Sequence, residues 1–248
     1  MSDSAPAPLL SIIIPAYNEE ARLAHSLEDV ARYVADHHES IEVIVVNNNS
    51  TDQTAHIAEE FASELPYMRV LHEPRQGKGA AVRTGMLAGR GDYLIFCDAD
   101  FSMPVEEVDK FIRPELNGYD IAIGSRELAN SVRIDEPEYR HLMGRVFNFI
   151  VRVLAVPGIQ DTQCGFKAFR RDVVQQLFPM QTIDGWGFDV EILYLGRKHG
   201  YHIHEVPITW YYKEQSRVHP IRDSFNMLME VLKVRFNDLQ GRYSPEHW

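Results

Sequence analysis

Leu10-Ser11-Ile12-Ile13-Ile14-Pro15 is a short apolar run with no polar alternation after Ser11. A strand with one wet face alternates, whereas a run like this is buried on both faces, as in a parallel sheet covered by helices. Ile41 to Val46, Met68 to Leu71 and Tyr93 to Cys97 read the same way. Helical patterns separate them: about Glu19 to Asp36, with Leu23, Leu27, Val30, Ala31 and Val34 on one face, then Asp52 to Leu65, then Gly79 to Ala88. This strand–helix repeat predicts an α/β fold, an open and mostly parallel sheet flanked by helices. Ligands bind beyond the carboxyl ends of such strands. The polar turns at those ends, Tyr17-Asn18-Glu19, Asn47-Asn48-Asn49 and Asp98-Ala99-Asp100, are therefore the candidate site.

Asp98 and Asp100 stand where a central strand leaves the sheet. Two carboxylates at i and i+2 can both face the crevice once the strand bends, and a Mg²⁺ or Mn²⁺ ion would relieve their repulsion and bridge them to ligand phosphates. The plain alternative is a pair of solvated loop aspartates. Asn47 to Asp52 can cap the following helix, hydrogen-bond a base edge, or both. Gln76-Gly77-Lys78-Gly79 opens a helix with glycines that admit a ligand and a lysine that supplies charge, although the spacing is not that of a Walker A loop.

The second half is less regular. It predicts a strand over Asp120 to Ile123, ending in Gly124-Ser125-Arg126, and helices over Tyr139 to Ala155, Phe188 to Lys198 and Ser224 to Leu239, with a strand from Ile203 to Trp210. The first of these helices carries Leu142, Val146, Phe149, Ile150 and Val153 on one face; the last carries Phe225, Leu228, Val231, Leu232 and Phe236. Packing on the domain is the leading expectation for the last helix, because membrane-lying helices are usually richer in Lys and Arg. His202 and His204 share one strand face and read as a solvated or partly packed surface.

The totals bound the answer. The 248 residues carry a formal net charge of −11, with 25 Lys and Arg against 36 Asp and Glu, so non-specific nucleic-acid binding is not expected. The acidic excess falls in residues 1–139, which suits a site that receives an anion through a cation. Cys97 and Cys164 match no metal-binding spacing and predict a reduced, cytoplasmic protein. Met1 to Pro8 reads as a flexible tail rather than a signal peptide, and Phe147 to Val156 falls far short of the ~20 apolar residues of a span.

These turns, in order, resemble family 2 glycosyltransferases, inverting enzymes with a GT-A fold. Ser11 to Glu20 is similar to the family's opening strand, Val45 to Asp52 to its second motif, Gly77-Lys78-Gly79 with Gly85 to its third, and Asp98-Ala99-Asp100 to its metal motif. One departure is that Asn47 and Asn48 stand where the family usually carries two acidic residues. Asp161-Thr162-Gln163-Cys164-Gly165-Phe166-Lys167 resembles the signature of the dolichyl-phosphate β-glucosyltransferases, and Trp186, Phe188 to Glu191 and Val206 to Trp210 fit the same subgroup.

The resemblance implies a hexosyltransferase, with UDP-glucose as first choice of donor, GDP-mannose as second, and a polyprenyl phosphate as acceptor. It places Pro15, Tyr17, Asn18, Glu19, Asn48, Lys78, Gly79, Asp98, Ala99 and Asp100 on the donor. Asp98 and Asp100, assisted by Ser102, would hold Mg²⁺ or Mn²⁺, and Ser125, Arg126, Arg140 and Gln163 would grip the acceptor phosphate. Asp98, Asp100, Arg126, Asp161 and Asp189 form the expected catalytic set. A phosphate acceptor is already anionic and needs arginines, whereas a hydroxyl acceptor needs a carboxylate base, for which Asp161, Asp189 and Glu191 are candidates. A nucleotide-sugar-binding protein without turnover is the reading from another class. The expected organisation is a catalytic unit over 9–215 and an amphipathic helical extension over 216–248, packed on the domain or lying peripherally at the inner membrane face.

Overall fold

The computed structural model describes residues 7–112, 118–213 and 220–244, with backbone alone for Arg140 and for 220–224. Strands β1 (Leu10–Ala16), β2 (Ile41–Asn47), β3 (Met68–His72) and β4 (Tyr93–Cys97) alternate with helices α1 (Leu23–Asp36), α2 (Thr54–Glu64) and α3 (Lys78–Ala88). A single-turn 3₁₀ helix leads into α4 (Asp109–Ile112), then come β5 (Ile121–Ser125), β6 (Val132–Ile134) and α5 (Glu138–Leu154). The remainder is β7 (Phe166–Arg170), α6 (Arg171–Leu177), α7 (Phe188–Lys198), β8 (Ile203–Pro207), β9 (Thr209–Tyr211) and α8 (Pro220–Leu239).

Seven strands form one sheet in the order β3-β2-β1-β4-β7-β5-β8. All neighbours are parallel except β7, which runs antiparallel to both β4 and β5. The unbroken apolar runs are explained by this layering. Ile12 and Ile14 point into a core with Leu23, Leu27 and Val30 of α1, while Ile13 points into a second core with α3, α6 and α7. Both cysteines are buried in the α1-side core, where desolvation raises their thiols, that of Cys164 to about 12. They behave as small apolar residues.

The structure departs from the sequence reading in four places. Helix α1 starts at Leu23 rather than Glu19, because Asn18 adopts a left-handed backbone (φ 51°) and the Asn18 and Glu19 amides bond to Ser50 and Thr54 of the neighbouring turn. The expected strand from Ile203 to Trp210 is two strands: β8 pairs with β5, and β9 pairs with β6 in a separate two-stranded sheet. Strand β7 and helix α6 carry no clear signal of their own in the apolar pattern.

The fourth departure is the largest. The apolar stripe of α5 faces outward: Leu142, Met143, Val146, Phe149 and Val153 are exposed, and Val151 is the buried position. Helix α8 is split, with Val231, Val234 and Asn237 buried and Phe225, Met229, Leu232, Phe236 and Leu239 exposed. Each helix seats on the domain by its few inner positions, and the two lie against each other. Their outer faces expose large apolar side chains, and extensive surface of that kind marks interaction sites. No helix among the described residues is long and apolar enough to cross a membrane.

His37 closes α1. Its Nδ1 lies 2.7 Å from the Tyr33 carbonyl oxygen and its Nε2 3.1 Å from Asp109 Oδ1. Burial pulls the imidazole pKa down, but the Tyr33 carbonyl and the Asp109 charge outweigh it and leave the pKa raised. A raised folded-state pKa stabilises below the unfolded value of about 6.5 and loses that contribution as pH rises through the folded value. Urea unfolding of the wild type and His37→Gln should therefore show its widest stability gap below about pH 6.5, closing at alkaline pH.

Candidate active site

The carboxyl ends of β1, β2, β4 and β5 open on one edge of the sheet, and the antiparallel β7 starts there, with Phe166 beside Cys97. The turns after β1 and β2 are tied together: Asn18 Oδ1 accepts the Thr51 amide at 2.8 Å, and the Glu19 amide donates to Thr54 Oγ1 at 2.6 Å. Pro15 is half-buried and Tyr17 exposed at this rim. The Glu19 carboxylate clasps Arg22, whose Nη1 then lies 3.8 Å from Asp100 Oδ2. Glu19 thus acts on the crevice through Arg22, a residue the sequence reading did not single out.

Asp98 carries the densest set of contacts. Lys78 Nζ lies 2.5 Å from its Oδ1. The Asp98 amide donates to the Gly165 carbonyl at 3.2 Å, and a Cβ on Gly165 would fall 1.9 Å from Asp98 Oδ2. The glycine before β7 therefore makes the space in which this carboxylate sits. Desolvation in the crevice, followed by the Asp100 charge, pushes the Asp98 pKa up against the pull of Lys78. Burial lowers the Lys78 pKa, but Asp98 and Asp189 more than restore it. Two carboxylates two residues apart, with Lys78 beside one and Arg22 near the other, fit a divalent cation whose remaining oxygens come from water and phosphate. The described residues include no cluster of three or more His, Cys, Asp or Glu side chains that could hold a metal ion. Ser102 meets Asp100 through its backbone amide at 2.9 Å, and Ala99 through its carbonyl holds Ser26 of α1.

Two expectations for the second and third motifs change. The Asn48 amide group is spent on the chain itself: Nδ2 donates to the Glu73 and Arg75 carbonyls, at 3.2 and 2.7 Å, and Oδ1 accepts the Gly77 amide at 2.8 Å. It pins the 73–77 loop. A Cβ on Gly77 would lie 2.1 Å from the Asp184 carbonyl oxygen, and one on Gly79 2.6 Å from that of Ile183. The glycines beside Lys78 thus admit another stretch of this chain, residues 183–184. That stretch carries Trp186, whose ring centroid is 5.2 Å from Lys78 Nζ.

On the other side of β7, Arg126 opens the turn after β5. Asp161 grips it bidentately, at 2.7 Å to Nε and 2.9 Å to Nη2, and also accepts its backbone amide at 3.0 Å. Burial alone would raise the Asp161 pKa, but Arg126 holds it low, and the Trp210 ring lies 5.4 Å from the guanidinium carbon. Asp189 is likewise engaged, with Nζ of the fully buried Lys167 at 2.5 Å. Glu191 is fully buried and accepts from the Thr182 and Ile183 amides and from the Thr182 and Tyr243 hydroxyls. As general bases these three are corrected: each is committed to a structural partner. Ser125 is buried and Gln163 turns to Met227 of α8. The Arg140 side chain lies outside the described residues. Among cavities, a cleft of about 510 Å³ at the opposite edge, lined by Asp92, Tyr119, Arg170 and Arg171, holds none of the predicted residues.

Arg22 and Lys167 stand out only once folded, since an arginine after an acidic turn and a lysine within a strand are unremarkable in sequence. Trp186 and Trp210 lie in stretches that the resemblance marks, without a signal that places them over Lys78 and Arg126.

Comparison with known proteins adds independent findings. The sequence profile of glycosyl transferase family 2 matches residues 11–178. The chain is 34% identical over 246 residues to the dolichyl-phosphate beta-glucosyltransferase of Dictyostelium discoideum, covering 94% of this chain and 75% of that one. It is 33% identical over 258 residues to the human dolichyl-phosphate beta-glucosyltransferase, covering 98% and 79%. Its fold is similar to that of glucosyl-3-phosphoglycerate synthase from Mycobacterium tuberculosis in complex with Mn²⁺, UDP-glucose and phosphoglyceric acid, with a TM-score of 0.67 and 21% identity over 95% of this chain and 80% of that one.

Gly165→Ala should leave the fold intact and displace the Asp98 carboxylate. Asp98→Ala and Asp100→Ala should each lower Mn²⁺-dependent release of nucleoside diphosphate by about 100-fold or more, and Gly165→Ala should approach them. Initial rates over a Mn²⁺ titration, with circular dichroism as the folding control, test all three.

Proposed function

Because the chain belongs to glycosyl transferase family 2, we propose that it transfers a hexose, glucose as first choice, from a nucleotide sugar to a polyprenyl phosphate. One observation carries the choice of acceptor. Five carboxylates on that flank are engaged: Asp161 by Arg126, Asp189 by Lys167, Glu127 and Glu136 by Arg133, and Glu205 by the amides of Gln160 and Asp161. None of these five stands ready to take a proton from a hydroxyl. A phosphate monoester, with a second pKa near 6, is largely ionised at neutral pH and needs no base.

The residues then divide the work. Arg126, fixed in orientation by Asp161 and Trp210, presents its remaining face to the acceptor phosphate, and Ser125 and Gln163 stand beside it. An acceptor oxygen displaces the nucleoside diphosphate at the anomeric carbon in a single inverting step: one carbon–oxygen bond forms as the other breaks. Lys78 and Arg22 meet the charge that grows on the leaving diphosphate, where electrostatic stabilisation has most effect. A divalent cation held by Asp98 and Asp100, when bound, supplies further neutralisation of that diphosphate.

The outward apolar faces of α5 and α8 support a lipid-borne acceptor. They join the Arg126 side directly: Asn148 of α5 accepts from the Thr162 hydroxyl at 2.8 Å, next to Asp161, and Met227 of α8 meets Gln163. In this reading 9–215 is the catalytic unit and 216–248 an extension, whose described part packs on the domain through Val231, Val234 and Tyr243 and offers its outer face to the cytoplasmic side of the membrane.

UDP-glucose and GDP-mannose, each offered with polyprenyl phosphate, phosphoglyceric acid or detergent alone and with or without Mn²⁺, test the proposal. Transfer of glucose to the lipid phosphate alone is expected; transfer only to phosphoglyceric acid or to a hydroxyl acceptor would overturn it. Arg126→Lys keeps the charge and loses the planar fork, so kcat/KM for the acceptor should fall about 10- to 100-fold with donor KM little changed.

A further inference from the structure

Residues 181–187 are held between two helices. On the α3 side, the Ala80 amide donates to the Asp184 carbonyl at 3.2 Å, and Gln181 Nε2 donates to the Gly79 and Ile183 carbonyls, both at 2.9 Å. On the α8 side, Glu230 Oε2 accepts the Gly187 amide at 2.6 Å. A Cβ on Gly185 would fall 2.1 Å from Glu230 Oε1, and one on Gly187 2.6 Å from Glu230 Cβ. The loop is therefore gripped on both sides by approaches that only glycine allows. Trp186 lies between the two glycines and is 40% exposed, over Lys78. Phe188 closes the other side, its centroid 6.0 Å from Lys78 Nζ.

We propose that Glu230 is a positioning residue for the donor site: through the Gly187 amide it fixes Trp186 over Lys78, and so directs the ammonium that meets the donor diphosphate. The proposal rests on the donor reading above. Glu230 itself lies behind the loop, on the inner side of α8, and acts only through Trp186. The economy of the contact argues for position rather than stability. Burial raises the Glu230 pKa, so keeping a carboxylate there to accept one amide is a poor way to hold a helix down. It is an effective way to hold a glycine-flanked tryptophan in one place. One helical turn earlier, Met227 meets Gln163 of the acceptor loop, so a single rigid helix touches the loops on both sides of the reaction.

Calorimetric binding of UDP with Mn²⁺, paired with donor and acceptor KM and kcat, tests the assignment in the full chain. Glu230→Ala is expected to weaken UDP binding and raise donor KM by about tenfold, with acceptor KM and kcat changed by less than about threefold. Glu230→Gln keeps an oxygen for the Gly187 amide and should stay within about twofold of wild type. Trp186→Ala should reproduce Glu230→Ala, and the double variant should bind UDP no more weakly than Trp186→Ala alone. Wild-type affinity in Glu230→Ala or in Trp186→Ala, or additive losses in the double variant, would overturn the positioning role while leaving the donor reading intact. A wild-type chain that binds neither UDP nor GDP would overturn the donor reading and this role with it. Should Glu230→Ala fail to fold, Trp186→Ala and Glu230→Gln decide the matter by the same criteria.

Discussion

Strand β7 runs against its neighbours, and the working edge of the molecule depends on that reversal. A parallel strand between β4 and β5 would begin at the far edge and deliver its preceding loop there. Running antiparallel, β7 brings residues 161–165 to the edge where β4 and β5 end. Asp161 then falls beside Arg126 on one flank, and Gly165 falls beside Asp98 on the other. One short loop thus braces both halves of the site. The buried Lys167, one residue into the strand, continues the bracing to Asp189 at the start of α7.

Electrostatics then sorts the acidic residues into two kinds. Asp161 and Asp189 are buried and matched by cations at hydrogen-bond distance, so their charge is spent on geometry. Asp98 and Asp100 are more open, and the cations near them, Lys78 and Arg22, lie within reach of an arriving diphosphate. Removing Lys167 or Arg126 would leave a buried carboxylate unpaired, a larger disturbance than the loss of one contact suggests.

The first half of the fold was legible because its strands are buried on both faces and its turns carry polar residues at the predicted edge. The placement of Asp98, Asp100, Lys78 and Arg126 at that edge was legible for the same reason, whereas the roles proposed for them came from the resemblance. The rest was hidden by long-range pairing. Phe166 to Arg170 includes two basic residues, and nothing local says that Lys167 will be fully buried against Asp189. The Gly77 and Gly79 positions were recognisable as special, but their reason was misread: the close partner is residues 183–184, about a hundred residues away in the chain. The amphipathic pattern of α5 was legible, but the side it faces was not, because periodicity reports that a helix has an apolar face and not what covers it.

That uncovered face has a consequence for the chain as a colloid. Val146, Phe149, Val153, Leu232, Phe236 and Leu239 present aliphatic and aromatic surface to water. Surface of this kind drives contact between molecules in proportion to its area, at about 25 cal/mol per Å² removed from water. In plain buffer that surface is a standing cost to solubility, and a detergent that covers it removes the cost.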